Sequence, residues 1–140
     1  FFDKNGELKR REFGSYVFQK SDLVERLNSI THPAILELVE KRTCGDAVYM
    51  VNTPLLFESG FNRFMNCNIV VTASVDQAVE RGIKRDGISG DEIRGRLDHQ
   101  IPLKEKIKLA DYVIDNSGSL EHTKRQVFDI WNILNQNRKE

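Results

Sequence analysis

The sequence predicts an α/β fold in which helices surround a parallel sheet. Two short runs, residues 47–51 and 68–72, are mostly apolar, and residues 112–114 form a third. Continuous apolar runs of this length are typical of strands that are buried on both faces, as in parallel sheets. Helical patterns separate the second run from the third. Strands that alternate with helices favour an α/β architecture with right-handed crossovers.

The first 46 residues are predicted to be helical. A mixed basic and apolar stretch, residues 8–18, follows the turn signal of residues 3–6. Ser21 is a candidate N-cap for the next helix. Pro33 suits the first position of a helix, so a new helix is expected to begin there.

Further helices are expected in the second half of the chain. Each has a recognisable start, because Ser is a favoured N-cap and Pro is tolerated in the first turn. Residues 89–92 also have the capping-box pattern, Ser-x-x-Glu. The expected starts are Ser74, Ser89, Pro102 and Ser119.

Composition excludes several classes of protein. The 140 residues include 21 basic and 21 acidic side chains, so the chain lacks the positive charge of a general nucleic-acid binder. A hydrophobic content of 39% is typical of soluble globular proteins, and no apolar run approaches the ~20 residues that span a bilayer. Cys44 and Cys67 form no CxxC motif and no metal-ligand spacing with histidine. We therefore expect reduced thiols, a cytoplasmic location, and neither a nucleic-acid nor a membrane partner.

Residues 54–58, Pro-Leu-Leu-Phe-Glu, directly follow the first predicted strand. Ligands of open α/β sheets bind beyond the carboxyl ends of strands, so this segment is a candidate binding loop. The alternative is a strand-to-helix turn that buries Leu55, Leu56 and Phe57. Position alone favours that alternative.

Arg81 and Arg85 lie four residues apart and therefore on one face of a predicted helix. Such a pair can hold a polyphosphate and stabilise the charge that develops on a transferred group. The alternative is a solvated face on which neighbouring carboxylates screen the arginines. These carboxylates are Asp76, Glu80 and Asp91.

Two other motifs also have two interpretations. Residues 116–118, Asn-Ser-Gly, follow the third predicted strand and form either a loop against a ligand base or a turn that leads to Ser119. His32 precedes Pro33 and is most simply a residue at a helix entry. Neither phosphate-binding pattern, GxGxxG or GxxxxGK[ST], occurs in the sequence.

The order of these motifs resembles the dephospho-CoA kinase family. The similarity covers nearly the whole chain, and its strength comes from the combination and spacing of the motifs. They are His32-Pro33, residues 54–58, Arg81-x-x-x-Arg85-Asp86-Gly87, Gln100, and residues 110–118, Ala-Asp-Tyr-Val-Ile-Asp-Asn-Ser-Gly.

The resemblance implies a P-loop kinase that, with Mg²⁺, transfers the γ-phosphoryl group of ATP to the ribose 3′-hydroxyl of dephospho-CoA. This reaction is the final step of coenzyme A synthesis. The resemblance also implies three regions. Residues 1–46 match a helical CoA-binding region, residues 47–73 and 111–140 a nucleotide-binding core, and residues 74–110 a lid.

The roles of individual residues follow from the same resemblance. Arg81 and Arg85 match lid arginines that contact the ATP phosphates during catalysis. The positions that match the acceptor site are His32, Pro54, Leu55, Leu56, Phe57 and Glu58. The positions that match the loop beside the adenine are Asn116, Ser117 and Gly118.

The chain departs from the family pattern in two ways. Asn52 stands where many members carry an acidic residue. Members of the family begin with a strand, a phosphate-binding loop with its lysine, and an acidic general base. We expect these parts and the Mg²⁺ ligand upstream of Phe1, so that residues 1–140 alone would be inactive and poorly packed. Two alternatives remain, another small-molecule P-loop kinase and a catalytically silent α/β binding module.

Overall fold

Two parallel strands confirm the α/β class in the computed structural model, which describes residues 1–137. β1 (Ile69–Thr72) and β2 (Tyr112–Asp115) pair with each other over their whole length. The chain divides into two compact units, Phe1–Asn52 and Thr53–Glu140. Both strands belong to the second unit, so the parallel pair lies on the same part of the chain as most of the candidate site residues.

The N-terminal unit contains two helices. α1 (Arg10–Val17) follows a turn in which the Oδ1 atom of Asp3 accepts hydrogen bonds from the N–H groups of Asn5 and Glu7, at 2.8 and 2.9 Å. Asp favours such turns because its short carboxylate reaches the backbone two residues ahead. α2 (Ser21–Arg42) then extends over 22 residues.

The helix start predicted at Pro33 is wrong, because α2 runs through this residue without interruption. The predicted Ser21 cap is also wrong, since Lys20 occupies the N-cap position and makes no side-chain capping bond. A proline inside a helix removes one backbone hydrogen bond and costs about 3 kcal/mol. A 22-residue helix keeps its backbone bonds on both sides of that gap. The hydroxyl of Thr31 adds a bond to the Leu27 carbonyl at 2.9 Å.

The strand predicted over residues 47–51 does not form. Among residues 1–137 no backbone pairs with this run. Met50 is 85% exposed, and the Tyr49 hydroxyl donates to the carbonyl of Cys44 at 2.6 Å. An apolar composition shows that a segment favours burial, whereas a strand also needs a neighbouring backbone, which composition does not identify.

The C-terminal unit places its helices around the parallel pair. A 3-10 turn, Phe61–Phe64, precedes β1. The last helix of the unit packs against β2, and the helix before it packs against β1. The helices are α3 (Val75–Asp86), α4 (Gly90–Asp98), α5 (Leu103–Leu109) and α6 (Leu120–Asn137).

The predicted helix starts in this unit are confirmed. Ser74 and Gln77 form a reciprocal capping box, in which each side chain accepts from the other residue's N–H at 3.2 Å. Ser89 and Ser119 each accept from the N–H three residues ahead, also at 3.2 Å. Pro102 is the N-cap of α5. Local capping chemistry therefore determines where these helices begin.

The core of the C-terminal unit is small and apolar. Val70 and Ile114 are buried on the two strands, and α3 packs closely against α4. Gly82 allows this close approach without rearrangement, because a Cβ atom there would lie 2.7 Å from the Cδ1 atom of Ile93 and that side chain would have to shift. The other buried apolar residues of the unit are Phe61, Val79, Ile93 and Ile130.

None of the helices in residues 1–137 is long and apolar enough to cross a membrane.

Candidate active site

The carboxyl ends of β1 and β2 lie side by side and carry the loop of residues 116–118. Thr72 and Asp115 are paired at the end of the ladder, and the Asn116 N–H donates to the Thr72 carbonyl at 2.8 Å. Parallel strands bind ligands at this edge. The predicted binding loop therefore starts where a ligand site is expected.

The beginning of α6 holds this loop in place. The Gln126 side chain accepts from the N–H of Asp115 at 2.9 Å and donates to its carbonyl at 2.8 Å. The Thr123 hydroxyl donates to the side-chain oxygen of Asn116 at 3.0 Å. Three side-chain hydrogen bonds thus connect the end of β2 and the first loop residue to one helix.

Asp115 stabilises the loop from within. Its Oδ1 atom accepts from the N–H of Ser117 at 2.8 Å. Hydrogen bonds from Ser117 lower the pKa of the Asp115 carboxyl below its ordinary value, and partial desolvation opposes this effect. Asp115 is therefore ionised at neutral pH and serves as an acceptor for the loop.

α3 reaches the same loop from the β1 side. The Nη2 atom of Arg81 donates to the Asn116 carbonyl at 3.0 Å, and Nε2 of Gln77 donates to the Ser117 carbonyl at 2.8 Å. The structure thus brings together two motifs that are 35 residues apart in the sequence. A positively charged guanidinium lies directly beside the candidate nucleotide loop.

Arg85, one turn further along α3, is placed differently. It forms a two-pronged ion pair with the adjacent carboxylate of Asp86, at 2.7 and 2.8 Å, and its side chain is 79% exposed. The hydrogen bond to Asp86 raises the pKa of Arg85, and the same bond lowers the pKa of Asp86. In this structure the Arg85 guanidinium is held by its neighbour and projects into solvent.

Two other arginines of this region, both on α4, form ion pairs, one with a residue of α3 and one within α4. Arg94 donates to Asp76 at 3.2 Å, and Arg96 donates to Glu92 at 2.8 Å. All four side chains are exposed. Arg94 and Arg96 thus lie in a solvated surface environment in which carboxylates screen their charge.

Residues 54–58 form the first part of a turn that leads into Phe61–Phe64. Pro54 and Leu55 are exposed, whereas Leu56 and Phe57 are half-buried. This arrangement combines both interpretations of the segment, because one part packs inward and another part faces solvent.

Glu58 has a specific set of partners. Its Oε1 atom accepts from the Ile101 N–H at 3.0 Å and from the Lys106 ammonium at 2.8 Å, and Lys106 also donates to Oε1 of Gln100 at 2.8 Å. Burial disfavours the charged form of Glu58, but the hydrogen bonds and the positive charge of Lys106 outweigh it and lower the pKa of this carboxyl. Glu58 is therefore an ionised anchor between the turn and the start of α5.

His32 and Asn52 lie in the N-terminal unit, apart along the chain from the other candidates. His32 is half-buried on α2, and Asn52 is exposed at the end of the unit. The other site residues that the resemblance assigned lie in the C-terminal unit.

Sequence analysis missed four residues that shape the site: Gln77, Lys106, Thr123 and Gln126. Two of them had a usable signal, because Thr123 and Gln126 are spaced by three and lie on one face at the start of a helix that follows a strand. Gln77 was identifiable as the fourth residue of a capping box, but not as a partner of Ser117. Lys106 stands in a run of alternating charges that gives no sign of burial.

Residues 1–137 contain no group of three His, Cys, Asp or Glu side chains that could hold a metal ion.

Fold and site together define the class of the protein. A parallel α/β sheet with a loop and an arginine at its carboxyl edge is an arrangement suited to phosphorylated ligands. The family model that matches this chain is described as dephospho-CoA kinase and covers residues 1–122, which include every site residue predicted from the sequence. The chain belongs to the dephospho-CoA kinase family, and the resemblance seen in its motifs is confirmed.

Named relatives support this assignment. The dephospho-CoA kinase of Carboxydothermus hydrogenoformans is 37% identical over 132 residues, which cover 91% of this chain and 64% of the relative. That of Geobacillus kaustophilus is 38% identical over 138 residues, which cover 93% of this chain and 69% of the relative. The chain thus spans about two thirds of the length of these relatives.

Solved structures show the same fold. A crystal structure from Thermus thermophilus has a TM-score of 0.78 at 30% identity and covers 92% of this chain and 69% of its own. The dephospho-CoA kinase from Campylobacter jejuni has a TM-score of 0.64 at 29% identity, over 97% of this chain and 70% of its own.

Proposed function

We propose that the polypeptide carrying this chain phosphorylates the ribose 3′-hydroxyl of dephospho-CoA with ATP, the last step of coenzyme A synthesis. Family membership supports the reaction class. The structural observation that carries the proposal is the contact of 3.0 Å between the Arg81 guanidinium and the Asn116 carbonyl. It joins a cation suited to phosphate to the loop that matches the adenine side of the site.

Arg81 and Arg85 are proposed to contact the ATP phosphates. Phosphoryl transfer depends on positioning and on stabilising charge spread over the phosphoryl oxygens, and guanidinium groups do both. Arg81 donates one N–H to the Asn116 carbonyl, and a guanidinium has five N–H donors. Arg85 faces solvent, and exchanging Asp86 for a phosphate would replace one charge-assisted pair with another.

The loop of residues 116–118 is proposed to lie beside the adenine. The carbonyls of Asn116 and Ser117 each accept one bond from α3 and retain a second lone pair. A nucleotide base can therefore be bound without dismantling the bonds that hold the loop.

The acceptor side is proposed to include His32 and residues 54–58. Of these, the exposed Pro54 and Leu55 are suited to contact a ligand, whereas Glu58 is engaged with Lys106. We further propose that residues 1–46 form the CoA-binding region, residues 74–110 the lid, and the remaining residues the nucleotide-binding core.

A cytoplasmic location is also proposed. Cys44 and Cys67 are both free thiols, which is typical of a reducing compartment. Burial, with a smaller contribution from the negative charge of Asp111, raises the pKa of Cys67 and keeps its thiol protonated. This environment disfavours oxidation of Cys67.

The reaction is tested on the natural polypeptide that contains this chain. Release of ADP is measured in the presence of ATP and Mg²⁺ with dephospho-CoA, adenosine or uridine as the acceptor. We expect turnover with dephospho-CoA and far less with either nucleoside. Equal turnover of a nucleoside would indicate another small-molecule kinase, and binding of dephospho-CoA without turnover would indicate a silent binding module.

A further inference from the structure

The Glu58–Lys106 ion pair differs from the surface pairs around it. Its two side chains are only 17% and 13% exposed. Two residues further along α5, Lys108 pairs with Glu105 at the same distance of 2.8 Å, but those side chains are 68% and 52% exposed. Two lysines of α5 thus differ in environment, because Lys106 is in a shielded pair with Glu58 and Lys108 is in a solvent-screened pair.

The shielded pair is part of a larger set of bonds between two distant segments. The Oε1 atom of Glu58 also accepts from the N–H of Ile101, 43 residues ahead in sequence, and Lys106 also donates to Gln100. Directional bonds therefore connect the end of residues 54–58 to residues 100–106.

Stability alone does not account for this arrangement. Removing two charges from water is costly, and the attraction between them often only compensates for that cost. The second carboxylate oxygen of Glu58 is buried and has no hydrogen-bond partner among residues 1–137. Such a pair is nonetheless more directional than an apolar contact, because hydrogen-bond strength depends steeply on distance and angle.

We propose that Lys106 is a positioning residue for the phosphoryl acceptor. Acting through Glu58, it holds the turn of residues 54–58 in register with residues 100–106, at the end of the region that we assign as the lid. The role rests on the proposed function, since it supposes that the turn contacts the acceptor. This role requires no contact between Lys106 and either substrate.

Loss of Lys106 should affect binding of the acceptor and not binding of ATP. Misplacing the turn weakens acceptor binding, whereas the loop of residues 116–118 is held by α3 and α6 through bonds that do not include Lys106. Loss of Lys106 therefore alters the KM for the acceptor and leaves the KM for ATP nearly unchanged.

The test compares variants of the natural polypeptide by their kcat and by their KM for each substrate. Lys106→Met keeps the approximate length of the side chain but removes its charge. For this variant we expect the KM for dephospho-CoA to rise about tenfold and the KM for ATP to change less than about twofold. The size of the effect is reasonable because a misplacement of ~1 Å can lower a reaction rate by up to ~10²-fold. Lys106→Arg should restore most of the acceptor affinity. Lys108→Met, the matched control on the exposed pair, should leave both KM values unchanged.

Thermal unfolding of each variant separates positioning from folding. If Lys106→Met does not fold, Lys106→Gln is the second variant, because it removes the charge but keeps a hydrogen-bond donor beside Glu58, and it should raise the acceptor KM selectively. Unchanged KM values, or equal rises for both substrates, would overturn the positioning role alone. Absence of turnover in the unmodified polypeptide would overturn the proposed function and the positioning role with it.

Discussion

The Nη2 atom of Arg81 lies 3.0 Å from the backbone carbonyl oxygen of Asn116. This hydrogen bond joins a helix that follows β1 to a loop that follows β2. It therefore connects two segments at the carboxyl edge of the sheet, where a parallel α/β protein binds its ligand.

Arg81→Ala should lower the kcat of the natural polypeptide by about 10²-fold, because a charge-assisted contact that strengthens in the transition state is lost. The melting temperature should change little, since the side chain is exposed and makes one hydrogen bond to the loop. Coupled ADP-release kinetics and thermal unfolding measure the two effects. Arg94→Ala, which breaks only the exposed pair with Asp76, is the control. Near-normal turnover of Arg81→Ala would support the solvated-face interpretation.

Arg85→Ala should also lower kcat, by an amount on the order of 10²-fold if the guanidinium moves from Asp86 to a phosphate in the transition state. The Arg85–Asp86 pair is exposed, so the variant should melt near the temperature of the unmodified protein. The same assay serves, with Arg96→Ala as the matched control on an exposed pair within α4. A loss confined to the melting temperature would contradict a catalytic role for Arg85.

Gln126→Ala should raise the KM for ATP several-fold, because both backbone groups of Asp115 lose their side-chain partner and the adjacent loop loosens. The free energy of unfolding should fall by about 2 kcal/mol, since two hydrogen bonds are lost and each contributes about 1 kcal/mol net. Urea denaturation and steady-state kinetics provide the measurements. Lys124→Ala removes an exposed pair with Glu121 on the same helix and should affect neither quantity. Equal effects of the two variants would argue against a specific role for Gln126.

Glu58 should make stability depend on pH in the acidic range. Its pKa is lower in the folded chain than in the unfolded chain, so its contribution is fully present above the ordinary glutamate pKa and is lost as the pH falls through the lowered value. Urea unfolding at a series of pH values from neutral to acidic should therefore show a smaller decline for Glu58→Gln than for the unmodified protein. Glu105→Gln, which affects an exposed pair, should follow the unmodified protein. If the free energy of unfolding falls equally with decreasing pH in all three proteins, the ion pair of Glu58 does not contribute to stability.

Local chemistry made much of the C-terminal unit predictable. Ser74, Ser89, Ser119 and Pro102 indicated helix starts because capping depends on a few consecutive residues. The positions of the paired strands were predictable from their apolar runs, but the predicted burial on both faces was wrong: Val70 and Ile114 are buried, whereas Val71 and Val113 are exposed. The same reasoning failed at residues 47–51, where a strand requires a partner backbone, and at Pro33, where one missing bond did not end a long helix.

The sequence by itself determined the family, because the order and spacing of short motifs are properties of the chain. Only the tertiary structure decided which side chains meet. Arg81 contacts Asn116 across 35 residues, and Glu58 bonds to Ile101 across 43. The tertiary structure also shows that the two arginines differ, although their spacing in the sequence makes them look equivalent. Arg85 is paired with Asp86, whereas Arg81 contacts Asn116. Pairing and burial depend on distances through space, and those distances arise only when the strands and helices pack together.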